Sequence, residues 1–169
     1  MGSRIAVGIY LFAIIAANLI ILQFGPAASI WNAFFLIGLD LTLRDSLHDA
    51  WQGKSLWIKM FALICAGSVI TVFLNMDAMQ IAIASAVAFG FAGFGDALVY
   101  QLMRKRIFLF RANGSNLAGS IIDSVLFPTL AFGVFIPEII IGQFLAKVIG
   151  GFLWSIIIVK IRYRIRLAA

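Results

Sequence analysis

Long apolar runs dominate this chain and leave it few ways to fold. Residues Ile5 to Phe24 carry no charge and end at Gly25-Pro26. A run of about 20 apolar residues is the length a helix needs to cross the hydrocarbon core of a bilayer. Five more runs follow, at about 30–47, 56–74, 79–103, 117–136 and 138–161. They are continuous rather than alternating and too long for barrel strands, and backbone in lipid must satisfy its own hydrogen bonds, so helices are expected. Composition agrees: 63% of the 169 residues are hydrophobic and 12% charged, against about 45–50% and about 25% in an average soluble domain. That excludes an ordinary soluble enzyme, a disordered tail and a disulfide-rich module. The single cysteine, Cys65, cannot form an internal disulfide, and no cluster has zinc-ligand spacing. The expectation is an all-α polytopic membrane protein, one domain of six spans.

The distribution of basic residues orients it. With the N-terminus in the cytoplasm, the inner side receives Arg4, then Arg44, Lys54 and Lys59, then Arg104, Lys105, Arg106 and Arg111, then Lys160, Arg162, Arg164 and Arg166. That leaves only Lys147 of the 13 basic residues, and it lies inside a span; the outer connections hold only Asp77 and Glu138. Such asymmetry implies an even number of spans with both termini cytoplasmic. It also accounts for the net charge of +6 by topology and anionic lipid, so no nucleic-acid partner is expected. Trp31 is placed at the outer face, and Trp51, Trp57, Tyr100 and Tyr163 near the inner one. The first run exceeds the apolar core of a signal peptide and is read as a span. Gly2 is not a myristoylation site, because position 6 is Ala.

Charges inside the spans are the anomaly. Each costs about 2.5–3.5 kcal/mol on insertion scales. At a rise of about 1.5 Å per residue, Asp40 lies roughly 13 Å below the outer face and Lys147 roughly 14 Å, both near the midplane. Arg44, Asp45 and Asp123 come to roughly 20 Å and Asp96 to roughly 25 Å on the same rise. Asp40 and Arg44 are four residues apart and can pair on one helix face. Arg44, Asp45, His48 and Asp49 can also be the partly wet inner end of the second span, with Arg44 snorkelling. Lys147 needs a carboxylate, and Asp40 and Asp123 are the plausible partners. Asn116, Gly119, Ser120 and Asp123 recur at three- and four-residue steps and form one narrow polar face, suited to helix contact or to lining a cavity. Pro128 is a potential kink. In the fourth span Ala82, Ala86 and Gly90, and Ala84, Ala88 and Ala92, invite close helix packing, and Asp96 and Gln101 follow them. His48 is the lone histidine, and neither a P-loop nor a nucleophile elbow occurs, so catalysis has little support. Carboxylates on several helices could take a metal, but the spacing is weak evidence, and no metal or cofactor is expected.

Four segments in order carry a family resemblance. Phe34 to Arg44 contains Asp40-Leu41-Thr42-Leu43-Arg44; Asp96 to Arg104 is an aspartate-then-basic stretch; Gly119 to Phe127 contains Asp123-Ser124-Val125-Leu126-Phe127; and Lys147-Val148-Ile149 lies in the last span. Over about Trp31 to Ile161 the chain resembles the VUT family of small bacterial inner-membrane proteins, the queuosine-precursor transporters, with shorter loops and ends. The resemblance implies six spans and import of 7-cyano-7-deazaguanine or a related 7-deazapurine. The implied substrate-binding residues are Asp40, Arg44, Asp96, Asn116, Asp123 and Lys147. Carboxylates would accept from the amino-pyrimidinone edge, and Phe35 or Trp154 would stack on the ring. A substrate-binding subunit of an energised importer, needing an ATPase partner, and a structural or pore-forming protein stapled by ion pairs are the alternatives. Oligomeric state and energy source are left open.

Overall fold

The computed structural model describes residues 3–51 and 55–167. Among them helix is the dominant element: α1 (Ser3–Phe24), α2 (Ala28–Asn32), a π-helical turn (Ala33–Ile37), α3 (Gly38–Ala50), α4 (Leu56–Leu74), α5 (Met79–Leu102), α6 (Phe108–Phe132) and α7 (Pro137–Leu167). Asn32, Ala33, Ile37 and Gly38 all keep right-handed helical dihedrals, so α2, the π turn and α3 form one continuous rod. The described residues thus form six rods. Four are long and apolar enough to cross a membrane, at Arg4–Phe24, Met76–Leu102, Phe108–Phe132 and Pro137–Ile161, and Ile58–Leu74 is a shorter apolar helix. The chain is an all-α, multi-pass membrane protein. Lys54 and the side chains of Trp57, Arg162 and Arg166, expected near the inner face, lie outside the described residues.

The rod of residues 28–50 is too polar to face lipid, and the packing explains why it need not. Every residue from Asp40 to His48 is buried. A helix buried all round is a central helix. Helix α3 packs against α1, α6 and α7; α7 also packs against α6 and the π turn; α5 lies along α6; and α4 closes one side against α1 and α5. Large apolar side chains, including Phe12, Phe61, Phe73, Phe91, Phe110 and Ile141, point outward. Lipid solvates them, and the polar residues are gathered inside.

Small residues set the helix spacing. Ala84, Ala88 and Ala92 are buried along α5 at the α6 contact, as the four-residue repeat predicts. Gly150 of α7 meets the π turn so closely that a Cβ there would overlap the carbonyl of Phe34. A Cβ on Gly38 would come within 2.8 Å of the Gly150 backbone. Trp154 Nε1 donates to a carbonyl of the π turn, Phe35 O, at 3.0 Å.

Two expectations are corrected. The helix expected at about 117–136 runs from Phe108 to Phe132 instead. Its polar start reads as a connection in sequence, yet Arg111 is ion-paired to Asp49 at 3.2 Å and Asn113 donates to Leu109 O and Ser155 Oγ. Its end is set by Gly133, whose φ of 71° makes a left-handed cap. Second, Asp45 and His48 are not a wet helix end but are buried, while Asp49 is only partly covered. The C-terminal end of α5 and the N-terminal end of α6 roof them, a tertiary effect that local sequence does not carry. Pro128 lies inside α6, and the helix continues past it to Phe132. Pro137 opens α7, as expected for a first helical position.

Candidate functional site

The central rod brings its charges against those of two other helices, α5 and α6. Arg44 Nη2 lies 3.3 Å from Asp96 Oδ1 of α5, an ion pair without hydrogen-bond alignment. The guanidinium rests between two glycines: a Cβ on Gly119 of α6 would be 3.1 Å from Nη2, and one on Gly93 of α5 would be 3.6 Å from Nη1. A side chain at Gly119 would crowd the Arg44–Asp96 pair. The expected pairing of Arg44 with Asp40 does not form. Both Asp40 oxygens are without a hydrogen-bond partner, and the residue is 0% exposed. The charge of Asp96 on a facing helix draws the long arginine side chain away from its own helix.

Lys147 chooses Asp123 of the two carboxylates expected for it. Its ammonium donates to Asp123 Oδ2 at 2.6 Å, to Ser124 Oγ at 3.0 Å and to Gln143 Oε1 at 2.9 Å. All three donors of the group are used, which is what a cation 1% exposed in a bilayer core requires. Gln143 Nε2 donates in turn to Ser29 Oγ at 2.8 Å, and Ser29 to the carbonyl of Pro26. A polar chain therefore runs from the connection after α1 to Asp123.

Toward the other end lies a second network. Ser115 Oγ donates to Asp45 Oδ1 at 3.4 Å, Gln101 Nε2 is 2.8 Å from His48 Nε2, and Arg111 binds Asp49 and stacks over Tyr100 at 4.9 Å. Between the two networks sit polar atoms with no protein partner. They include both side-chain atoms of Asn116, the Ser120 hydroxyl, Asp123 Oδ1, Arg44 Nε and Nη1, and the Tyr10 hydroxyl. Buried polar groups are ordinarily hydrogen-bonded, and these orphans lie on three helices, α1, α3 and α6.

All six sequence-predicted residues, Asp40, Arg44, Asp96, Asn116, Asp123 and Lys147, are buried in this core. Sequence reasoning missed Tyr10 and Gln143. Tyr10 is 0% exposed; the lone hydroxyl of a first span whose other polar residues are Asn18 and Gln23 is the signal that could have found it. The expected stacking residues, Phe35 and Trp154, do not line the interior hollow. Phe35 is 52% exposed and packs on Trp31 and Phe34, and Trp154 bonds to the π turn. Phe89 and Phe127 instead line the interior hollow, beside Asp123 and Lys147.

That hollow is small. Its free space is about 20 Å³, room for about one water. A cleft between α4 and α5 reaches Arg44 and Asp96 with about 80 Å³. Drug-sized ligands fill about 300–1,000 Å³, so the bundle is closed around its polar centre.

Six helical rods enclose charged and orphaned polar groups behind an apolar outer surface, and ionisable groups within membrane spans are by default candidates for a functional role. The chain belongs to the family described as "Putative vitamin uptake transporter", whose model matches residues 4–161. No curated protein and no solved structure matches it.

Proposed function

We propose that this protein imports a queuosine precursor, 7-cyano-7-deazaguanine or a related 7-deazapurine, across a bacterial-type inner membrane, and that it moves the solute rather than transforming it. The observation that carries the reading is the orphaned set around Asn116. A neutral amino-pyrimidinone edge offers ring N–H and amino donors beside a carbonyl acceptor. Asp123 Oδ1 has no hydrogen-bond partner and would accept from the donors, as would Asp96 Oδ1, which is ion-paired to Arg44 without a hydrogen bond. Arg44 Nη1 and Asn116 Nδ2 are free to donate to the carbonyl, and Asn116 Oδ1 and Ser120 complete the edge. Lys147, its donors already filled, orients Asp123. Such a site rejects solutes that leave these groups unpaired.

The closed bundle supports alternating access. A bicyclic base cannot enter about 20 Å³, so helices must part on one side to admit it and on the other to release it. The networks around Gln143 and around Asp49–Arg111 stand at the two ends of the core and are the contacts that each opening would break.

Uptake of labelled 7-cyano-7-deazaguanine into cells lacking their own importer and their own precursor synthesis tests the reading, with queuosine in tRNA as second readout. The expected result is uptake and restored modification by this chain alone. A well-expressed protein that gives neither overturns it, and uptake only beside an ATPase partner favours the energised-importer alternative.

A further inference from the structure

Resting on the transport reading, the charge balance of the core points to an energy source. Among the described residues four buried carboxylates, Asp40, Asp45, Asp96 and Asp123, face two fully buried cations, Arg44 and Lys147. Arg44 takes Asp96 and Lys147 takes Asp123. Two acids are left over. Asp45 accepts from Ser115, whereas Asp40 has no partner on either oxygen.

An ionised carboxylate with nothing to bond to, sealed in a bilayer core, is among the least tolerable groups a membrane protein can hold. A proton on Asp40 removes the charge. The groups facing Asp40 fit that state: Tyr10 of α1, itself an orphan hydroxyl, Arg44 on its own helix, already held by Asp96 of α5, and Asp123 of α6, held by Lys147 of α7. A metal cation of the hard class wants a ring of several oxygens, whereas a proton needs one. Asp45, His48 and Asp49 continue titratable groups along the same helix to its end, where Asp49 is partly exposed.

We propose that Asp40 is a proton-carrying site and that it couples uptake of the base to the proton gradient. A proton enters from the outer side onto a carboxylate oxygen of Asp40 while the base binds. The bundle rearranges. The proton then leaves by way of Asp45 to inner water as the base is released. The base is neutral, so each cycle moves one positive charge inward and the membrane potential contributes to the drive. Asp40, which the resemblance counts among the substrate-binding residues, is thereby reassigned to the proton: it adjoins the base-recognition set of Arg44, Asp96, Asn116 and Asp123 and is not part of it.

The test uses purified full-length protein in liposomes with labelled 7-cyano-7-deazaguanine as probe. An inward proton gradient, alone or with an inside-negative potential, is expected to concentrate the probe, and a sodium gradient is not. Asp40→Asn is expected to lose concentration against a gradient and fall to simple equilibration, while counterflow between preloaded and external probe persists. Asp40→Glu is expected to keep gradient-driven uptake in part. Accumulation driven by sodium, or accumulation by Asp40→Asn equal to the parent, overturns the proposal. So does loss of counterflow in Asp40→Asn, which would assign Asp40 to the base instead. If the parent protein shows no counterflow, the transport reading fails on its own. Infrared spectroscopy then still reads the proton site: a protonated carboxyl band present in the parent and missing in Asp40→Asn supports it, and no such band at any pH overturns it.

Discussion

Lys147 Nζ and Asp123 Oδ2 lie 2.6 Å apart across the α6–α7 contact, with both side chains almost completely buried. Truncating one partner of such a pair leaves the other charge alone in the bilayer core, at a cost of about 3–5 kcal/mol.

The first prediction follows from that pair. Lys147→Ala should lower the thermal midpoint in detergent sharply. The exchanged double variant Asp123→Lys/Lys147→Asp should recover most of the stability and still fail to take up the base, because the acceptor at Asp123 has become a donor. A double variant that is both folded and fully active would make the pair a staple only.

Gly119 and Gly93 make a matched second prediction. A methyl group on Gly119 would stand 3.1 Å from Arg44 Nη2 and 3.2 Å from Asp96 Cβ, while one on Gly93 would make an ordinary 3.6 Å contact. Gly119→Ala should displace the ion pair, cost about 1–3 kcal/mol and depress uptake. Gly93→Ala should be mild. Parallel melting curves and uptake rates check the contrast, and equal behaviour of the two would refute the glycine seat.

Gly150→Ala should be among the most damaging small changes in the chain. Its Cβ would collide with the Phe34 carbonyl of the π turn, where backbone meets backbone and no side chain can swing aside. Gly8→Ala, in open space within α1, should be neutral or stabilise by about 0.5–1 kcal/mol from the lower conformational entropy of the unfolded chain. Folded yield after detergent extraction separates them.

At the other end of the core, the Asp49–Arg111 bridge is partly open to solvent, at 23% and 18% side-chain exposure. Arg111→Ala should therefore cost only about 0–1 kcal/mol of stability. If this bridge closes the inner side, the same variant should change the rate of release far more than it changes the melting point, which single-turnover efflux from loaded liposomes would measure.

Topology gives a fifth prediction. Both termini are expected in the cytoplasm, so a fluorescent protein fused after Ala169 should fluoresce and a phosphatase fused there should stay inactive. The reverse pattern would invert the assignment of the networks to outer and inner sides.

Much of the fold is legible in the residues because a bilayer imposes a length and an apolarity that any single span must meet alone. Ile5–Phe24 reads correctly for that reason, since α1 ends at Phe24. The start of α6 does not, because Arg111 and Asn113 look like a loop until Asp49 and Ser155 are brought to them. The candidate site was visible as a list, since charges in apolar runs stand out one by one. Its pairing was not: Asp40 and Arg44 are neighbours on one helix, and only the approach of α5 gives Arg44 a better partner.

The amino-acid sequence by itself determined that this chain is helical, crosses a membrane and carries charges where lipid would forbid them, because those properties depend on local runs and their free energy of transfer. Tertiary structure alone decided which carboxylate each cation takes, that α3 is enclosed on all sides, and that Asp40 is left without a partner. Those outcomes depend on distances between helices far apart in the chain, and a few ångströms of approach separate an ion pair from an orphaned acid.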